Sequence, residues 1–263
     1  MEVGPGALEA VDFEFQRRHV GWIARALHTW FRVDVQGMEH LPSGPFLGVG
    51  NHSGAVMIPD TLVWMGTYHT SGREPPLVTL AHDAMFDAYP QPLARSLAKL
   101  GAVRARRDIA LEALRQGYAV QVYPGGDHDA CRSFSRRNEV VFAGRKGYVE
   151  LAREAGVPIV PVVCVGGHEA LIVLWDGASL ARRLGFDRRF RLKTFPLSLS
   201  LPWGLWLGPL PGYLPLPARI SVRVLPPISP DEGDVDAVDA RVRTSMQCAA
   251  DALARGRCFP WLG

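Results

Sequence analysis

Several protein classes are excluded by what this sequence has little of. Its four cysteines, Cys131, Cys164, Cys248 and Cys258, are far apart and form no C-x-x-C pair, so we predict neither a disulfide framework nor a zinc ribbon. This cysteine pattern fits a reducing cytoplasm. A net charge of only +3 gives no basis for nucleic-acid binding. The first residues, MEVGPGALEAVDFEF, are acidic where a signal peptide carries positive charge, which argues against secretion.

Charge is also absent from one long stretch. From Thr194 to Ala218 there is no charged residue, and Leu and Trp are frequent. The stretch nevertheless contains six prolines, and a proline inside a helix removes a hydrogen bond and clashes with the preceding turn. We therefore expect no membrane-spanning helix here, but a proline-rich apolar loop that is either packed on the domain or dipped into lipid headgroups.

After Pro45 the chain alternates short apolar runs with helical stretches. This pattern predicts an α/β fold with a mostly parallel central sheet flanked by helices. The predicted buried strands cover residues 46–50, 77–81, 119–123, 158–165 and 220–225. Helices are predicted near residues 60–70, 92–99, 107–117, 146–155 and 235–255.

An amphipathic helix is predicted before the sheet, over residues 13–31. Its apolar stripe is Val20, Ile23, Leu27, Trp30 and Phe31, whereas Arg17, Arg18 and Arg25 fall largely elsewhere. Such a helix docks on a domain core or lies in a membrane interface, and the two roles are compatible. We accordingly divide the chain into an N-terminal amphipathic helical segment, residues 1–35, and a main domain, residues 36–263.

The loops that leave the carboxyl ends of parallel strands commonly build the site of such a sheet. After the first predicted strand, His52 stands beside small residues, and Asp60 falls in the first turn of the next helix, behind Pro59. If the intervening loop folds back, the Asp60 carboxylate can orient one ring nitrogen of His52 and leave the other to take a proton. The alternative is a structural histidine and an aspartate that merely caps a helix.

A glycine-containing turn follows another predicted strand. Tyr123, Pro124, Gly125 and Gly126 stand there, and glycines let backbone amides approach a ligand oxygen closely. By itself a Pro-Gly-Gly stretch more often indicates an ordinary turn. Arginines cluster in the same part of the sequence and either hold phosphate or carboxylate groups or form a solvated face: Arg104, Arg106 and Arg107, then Arg132, Arg136 and Arg137, then Arg145.

The order of these blocks resembles that of the glycerolipid and lysophospholipid acyltransferase superfamily. The similarity runs over residues 45–165 and comprises Asn51-His52 with Asp60, Gly101 to Arg104, Tyr123 to Gly126, Arg145-Lys146-Gly147, and the strand Val157 to Val162. No single block is decisive, but their common order is fairly specific.

Two positions depart from the family pattern. The usual His-x4-Asp spacing would place the aspartate at 57, where this chain has Met57, and Gly125 replaces the glutamate of the third block. Pro-Gly-Gly in the third block is similar to the monoacylglycerol and diacylglycerol acyltransferase branch. The first departure bears on the partner of His52, and the second on the acceptor.

The resemblance implies an acyltransferase domain that moves a fatty acyl group from acyl-CoA or acyl-carrier protein to the hydroxyl of a lysophospholipid or glycerolipid, such as 1-acylglycerol 3-phosphate. It implies His52 as the catalytic base, oriented by Asp60. The implied substrate-binding residues are Arg104, Tyr123, Pro124, Gly125, Gly126 and Arg145. No metal and no cofactor beyond the acyl donor are expected. The expected partners are the acyl donor, the lipid acceptor and the surface of a membrane, with the protein bound peripherally to its cytoplasmic face.

Three other functions compete with this interpretation. A serine hydrolase is disfavoured because the chain has no G-x-S-x-G motif, although Ser53 adjoins His52. A metal-dependent hydrolase would draw on Asp127, His128, Asp129 and Cys131, with His82, Asp83 and His168 in reserve, but neither H-x-H nor H-E-x-x-H occurs. A non-catalytic lipid-binding protein on the same fold is the third.

Overall fold

The computed structural model describes residues 4–55, 58–186, 193–202, 204–208 and 214–257. The helices in these residues are α1 (Phe13–Phe31), α2 (Pro59–Thr70), α3 (Ala84–Asp87), α4 (Gln91–Lys99), α5 (Arg107–Arg115), α6 (Asp127–Ala130), α7 (Gly147–Ala155), α8 (Gly167–Ala170), α9 (Ala178–Arg183) and α10 (Val235–Arg255). The strands are β1 (Asp34–Gln36), β2 (Leu47–Gly50), β3 (Leu77–Ala81), β4 (Ala102–Arg104), β5 (Ala119–Val122), β6 (Ile159–Val165), β7 (Ile172–Trp175), β8 (Leu197–Ser200), β9 (Gly204–Leu207) and β10 (Ser221–Val224).

Seven strands form one sheet in the order β1-β10-β6-β2-β5-β3-β4. Every neighbouring pair is parallel except β10 and β6, which are antiparallel. Strand β6 is buried along its whole length, as its continuous apolar run predicts for a strand covered on both faces. The α/β fold with a mostly parallel central sheet is thus confirmed.

Helices cover both faces of this sheet. Side chains from α5, α7 and α10, among them Ala110, Val149 and Met246, pack on one face of β2, β5 and β6. On the other face, α1 and α2 contribute Phe31, Trp64 and Tyr68 to a second core. The sheet therefore lies in the middle of three layers, and its carboxyl edge is left for loops.

Helix α1 occupies the residues predicted for it and packs along α2. His28 Nε2 lies 2.9 Å from Thr67 Oγ1, and a β-carbon on Gly66 would lie 3.1 Å from that of Ala24, so the two helices approach closely. Of the apolar stripe, Phe31 is buried, whereas Trp30 is exposed and its Nε1 donates to the Pro215 carbonyl. Among the described residues, no helix has the length and apolar content that crossing a membrane requires.

The five strands predicted from apolar runs are present as β2, β3, β5, β6 and β10. The expectation of a loop throughout residues 194–218 was wrong for residues 197–200 and 204–207, which form β8 and β9. In β8, Leu and Ser alternate with the period of a strand, and Pro196 and Pro202 flank the strand without entering it; in β9, Leu alternates with Gly and Trp. Residues 203 and 209–213 of this stretch lie outside the described residues.

Strands β7, β8 and β9 form a separate antiparallel sheet. One face of it supplies Val173 and Trp206 to a small apolar cluster that also contains Ala55 and Cys131. Ala55 belongs to the loop after β2, and Cys131 follows α6. The small sheet is therefore packed against the loops at the carboxyl edge of the large one.

Candidate active site

The side chains of His52 and Asp60 meet beyond the carboxyl end of β2. Nδ1 of His52 lies 2.8 Å from Oδ2 of Asp60, and the same oxygen accepts the Ser53 amide at 3.0 Å. Asp60 is buried and His52 is largely so. Because a carboxylate only accepts, Nδ1 carries the proton in the neutral ring, and Nε2 is the nitrogen with a lone pair to offer. The contact between His52 and Asp60, which the sequence allowed but did not establish, is present.

The described residues of the loop between His52 and Asp60 turn tightly. Gly54, Ala55 and Ile58 all have positive φ, at 78°, 50° and 37°. For residues with a β-carbon this conformation costs about 1–3 kcal/mol each, and such costs concentrate at functional sites. The turns bring Asp60, at the start of α2, back to the imidazole. Met57, which stands at the family's usual aspartate position, lies outside the described residues.

The charge state of His52 reflects two opposing effects. Burial by itself lowers the pKa of the imidazole, but the charge and hydrogen bond of Asp60, with a further contribution from Asp129, outweigh it. The pKa of His52 therefore lies above its ordinary value of 6.5. A ring with a raised pKa is a stronger base once it has lost its proton.

Tyr123 lies against the catalytic candidate, and its predicted contact with substrate stays a prediction. Its ring stacks on the His52 imidazole with centroids 4.5 Å apart and an interplanar angle of 24°. A β-carbon on Gly50 would lie 2.6 Å from Cε1 of Tyr123, so glycine at the end of β2 is required for this packing. Burial raises the pKa of the Tyr123 hydroxyl well above 10, which keeps the ring neutral. Tyr123 thus fixes the plane of the imidazole.

Asp129 is a member of the site that the sequence suggested only as a metal ligand. It is fully buried, and its Oδ2 accepts the backbone amide of His52 at 2.5 Å. Its Oδ1 accepts the Val141 amide at 3.2 Å and pairs with the buried guanidinium of Arg132. Burial raises the pKa of Asp129 to about 6 against the opposing charge of Arg132. This carboxylate therefore anchors the backbone from which the His52 ring projects.

Gly125 makes room for Asp129. A β-carbon at position 125 would lie 2.4 Å from the β-carbon of Asp129 and 2.0 Å from the Val141 carbonyl oxygen. No side chain fits there without displacing backbone. Position 125 is where the family has the glutamate of its third block. In this chain the space beside that position is already filled by the buried carboxylate of Asp129.

The rest of the third block forms a turn held by Arg145. Nη1 of Arg145 donates to the Pro124 carbonyl at 2.9 Å, and Nη2 lies 3.7 Å from Oδ1 of Asp127. The amide of Gly126 donates to the Tyr123 carbonyl within this turn. Of the two glycine amides, we therefore expect that of Gly125 to donate to an oxyanion. The structure thus brings Pro124, Gly125, Gly126 and Arg145 together in the turn after Tyr123, whose ring stacks on His52.

Arg104 is placed further away. It ends β4, which is separated from β2 by β3 and β5, or about 14 Å at the usual strand spacing. Its guanidinium lies 2.7 Å from Asp87 and 3.3 Å from Asp83, and it covers the ring of Phe86. A role for Arg104 in substrate binding stays a prediction.

The residues named for a metal-dependent hydrolase do not form a set of metal ligands in the part of the chain that the structure describes. Among the described residues, no three His, Cys, Asp or Glu side chains are grouped as metal ligands. Asp129 is paired with Arg132, and burial raises the pKa of the Cys131 thiol to about 12. Burial, with the charges of Arg132 and His52, holds the pKa of His168 well below 6.5.

Asn51 was part of the sequence motif without an assigned role. Its Nδ2 donates to the Cys164 carbonyl, and its Oδ1 accepts the Cys164 amide, both at 2.8 Å. One side chain thus satisfies both backbone groups of a residue in β6. This pairing fixes the residue before His52 to the centre of the sheet.

Known proteins share this fold and sequence pattern. A family model described as acyltransferase matches residues 32–165. An uncharacterised protein of Mycobacterium tuberculosis is 30% identical over 239 residues, which cover 87% of this chain and 63% of that one. A "DGAT1/2-independent enzyme synthesizing storage lipids" of Gallus gallus is 26% identical over 168 residues, covering 64% of this chain and 48% of that one. The chain thus spans less than two-thirds of the length of these relatives.

A solved structure shows the same architecture. The crystal structure of the 1-acyl-sn-glycerophosphate (LPA) acyltransferase PlsC from Thermotoga maritima matches with a TM-score of 0.57 at 18% identity. The match covers 90% of this chain and 79% of that one. At this identity the likeness establishes the fold.

Proposed function

Because the chain belongs to the acyltransferase family, we propose that it transfers a fatty acyl group from acyl-CoA or acyl-carrier protein to the hydroxyl of a glycerolipid at a membrane surface. The observation that carries the proposal is the 2.8 Å contact between His52 and Asp60 at the carboxyl end of β2. A carboxylate-oriented imidazole can take the proton of a lipid hydroxyl as that hydroxyl attacks.

In the proposed reaction, Nε2 of His52 takes the proton of the acceptor hydroxyl as the oxygen attacks the thioester carbonyl. The tetrahedral intermediate then collapses, the carbon–sulfur bond breaks, and the thiol leaves with the proton held by His52. No acyl-enzyme is formed. A backbone donor to the oxyanion, such as the Gly125 amide, contributes roughly 3 kcal/mol in acyl-transfer enzymes.

Two classes of acceptor fit the proposed reaction. Phosphorylated acceptors such as 1-acylglycerol 3-phosphate and neutral ones such as monoacylglycerol both carry the required hydroxyl. Gly125 and the likeness to an enzyme named for storage lipids favour the neutral class. We would assay the purified chain with labelled acyl-CoA against lysophosphatidate, glycerol 3-phosphate and monoacylglycerol. No transfer to any of these, from either CoA or carrier-protein thioesters, would overturn the proposal.

Asp60→Asn is expected to lower the rate and to shift its pH dependence. The base must be neutral, so kcat/KM rises with pH through the pKa of His52, which Asp60 helps to raise above 6.5. Without the carboxylate charge, the acidic limb should move to lower pH while the plateau falls, since the amide misorients the ring. A pH profile of kcat/KM measures both. An unchanged profile would show that another group orients His52.

Arg104→Ala tests phosphate recognition. If Arg104 binds a phosphorylated acceptor, its loss should raise the KM for that acceptor and leave the KM for acyl-CoA unchanged. A charge-assisted hydrogen bond of about 1.5–3 kcal/mol corresponds to roughly ten- to a hundredfold in kcat/KM. Arg106→Ala is the matched control, because Arg106 is exposed two residues away and pairs with Asp108.

Arg145→Ala, measured in parallel, should raise the KM for the acyl donor if Arg145 serves that substrate. If Arg104→Ala has no effect with any phosphorylated acceptor while monoacylglycerol is used well, the enzyme acylates neutral lipids and the phosphate assignment fails.

A further inference from the structure

The small sheet has an inverted pattern of polarity. In β8, Ser198 and Ser200 are 1% and 3% exposed, whereas Leu199 between them is 42% exposed. In β9, Leu205 and Leu207 are 64% and 54% exposed. A strand with one face in water normally turns serine outward and leucine inward, so this arrangement places apolar surface where water would otherwise be.

The strand register collects these leucines on one face. Leu197 pairs with Leu207, and Leu199 pairs with Leu205, so all four point to the same side. On β7, Ile172 lies opposite Leu199, and Trp175 lies opposite Leu197. We call this surface the leucine face: Ile172, Trp175, Leu197, Leu199, Leu205 and Leu207.

The leucine face continues towards helix α1. Leu214 donates its amide to the Leu201 carbonyl at 2.8 Å just after β8, and both side chains are exposed. From there the chain reaches Pro215, whose carbonyl accepts Nε1 of Trp30 at 3.1 Å. Trp30 and the exposed Trp22 line a shallow depression on α1 with Arg25 and Arg32. Tryptophan beside arginine is typical of a protein surface at the level of lipid headgroups.

The charges around this surface favour anionic lipid over a second copy of the chain. Arg25 and Arg32 flank the tryptophans, and Arg182 and Arg183 are exposed in the last turn of α9, which follows β7. Two copies meeting through the same face would bring these like charges together. Phosphate headgroups would complement them.

The opposite face of the small sheet leads to the site. Val173 and Trp206 point inward and pack with Ala55 and Cys131. Ala55 is three residues from His52, and Cys131 is two residues from Asp129. The small sheet therefore lies between the leucine face and the loops that hold the His52 dyad.

We propose that the leucine face, with the tryptophans of α1, seats the protein on an anionic lipid bilayer and so places the His52 site next to lipid hydroxyl groups. This inference rests on the proposed function for the identity of the substrate, but the binding surface can be tested without catalysis. It assigns membrane contact to the small sheet in addition to α1.

The test is sedimentation of the full chain with vesicles of phosphatidylcholine and phosphatidylglycerol. The double variant Leu205→Asn/Leu207→Asn should bind at least tenfold more weakly than the wild-type protein, with a similar Tm because both side chains are exposed. Leu93→Asn is the matched control, since Leu93 is an exposed leucine on α4, which packs beside the distant strand β4. Leu199→Ser is a second variant in case the double variant fails to fold.

Activity separates this inference from the proposed function. With a short-chain acyl-CoA and an acceptor dispersed in detergent, the double variant should have the same turnover rate as the wild-type protein. With an acceptor embedded in vesicles, its rate should fall by the same factor as its vesicle binding. Absence of all transfer by the wild-type protein, with vesicle binding retained, overturns the function and not the surface. Equal vesicle binding by both proteins overturns the surface. The surface is also overturned if neither protein binds vesicles and the wild-type protein is a dimer while the double variant is a monomer. That result would assign the leucine face to self-association.

Discussion

Replacing His52 with alanine is expected to reduce acyl transfer by about 10²–10⁴-fold, the usual contribution of a general base. Nδ1 is held by Asp60, so the variant loses the group that takes the proton and keeps the carboxylate that oriented it. The expected loss is in kcat, with little change in KM for either substrate, because the imidazole acts on the reacting hydroxyl and not on the acyl chain or headgroup.

Stability should change little in the same variant. The ring stacks on Tyr123, and such a contact is worth about 0.5–1.5 kcal/mol, which lowers the Tm of a chain of this size by a few degrees. His40→Ala is the control, because His40 is a partly buried histidine whose Nδ1 lies 3.0 Å from the Val224 carbonyl, at β10 and away from the site. Activity within tenfold of wild type in His52→Ala would contradict the assignment of His52 as the base.

Asp129→Ala is expected to have the second large effect, on stability and on catalysis together. Removing this carboxylate leaves the buried Arg132 guanidinium without its carboxylate partner, and breaking a buried ion pair in this way costs about 3–5 kcal/mol. It also leaves the His52 and Val141 amides without their acceptor. Thermal or urea unfolding measures the first effect, and kcat measured well below the Tm measures the second.

Asp129→Asn separates anchoring from packing. The amide keeps the shape of the side chain but removes its charge and turns an NH2 group towards donors. If Asp129 positions His52, kcat should fall at least tenfold with KM unchanged, and the acidic limb of the pH profile should move to lower pH, because Asp129 contributes to the raised pKa of His52. A variant with lower Tm but wild-type kcat and pH profile would show that Asp129 serves the fold alone.

The same geometry makes Gly125→Glu, which restores the family residue, an unfavourable change. The added β-carbon would lie 2.0 Å from the Val141 carbonyl oxygen and 2.4 Å from the β-carbon of Asp129. Moving the Val141 backbone would disturb the hydrogen bond that its amide donates to Asp129, so we expect lost stability and no gain in activity. Asp129 and the Val141 backbone thus leave no room for a glutamate at position 125.

The sequence by itself determined the α/β class, the five strands with continuous apolar runs, and the placing of His52 after β2. Buried parallel strands need apolar residues on both faces, so their runs can be recognised in one dimension. The carboxyl-edge rule then directs attention to the residues that follow them. Asp60 could be named as a candidate because a carboxylate is stabilised at the N-terminus of a helix. The conformation of the loop between Asp60 and His52 could not be predicted from the sequence.

Only the tertiary structure decided that Asp60 reaches His52, that Asp129 anchors His52 from 77 residues away, and that Arg104 ends three strands from β2. These three placements depend on which strands become neighbours in the sheet and on how the loops with positive φ fold back towards it. The leucines of β8 and β9 show the same limit. Alternation of Leu with Ser in β8, and with Gly and Trp in β9, indicates two faces, but a pattern of period two does not state which face meets the protein. Packing of Val173 and Trp206 on Ala55 and Cys131 settled that choice, because one side of the small sheet had to cover the loops of the site, and the leucines were left on the other.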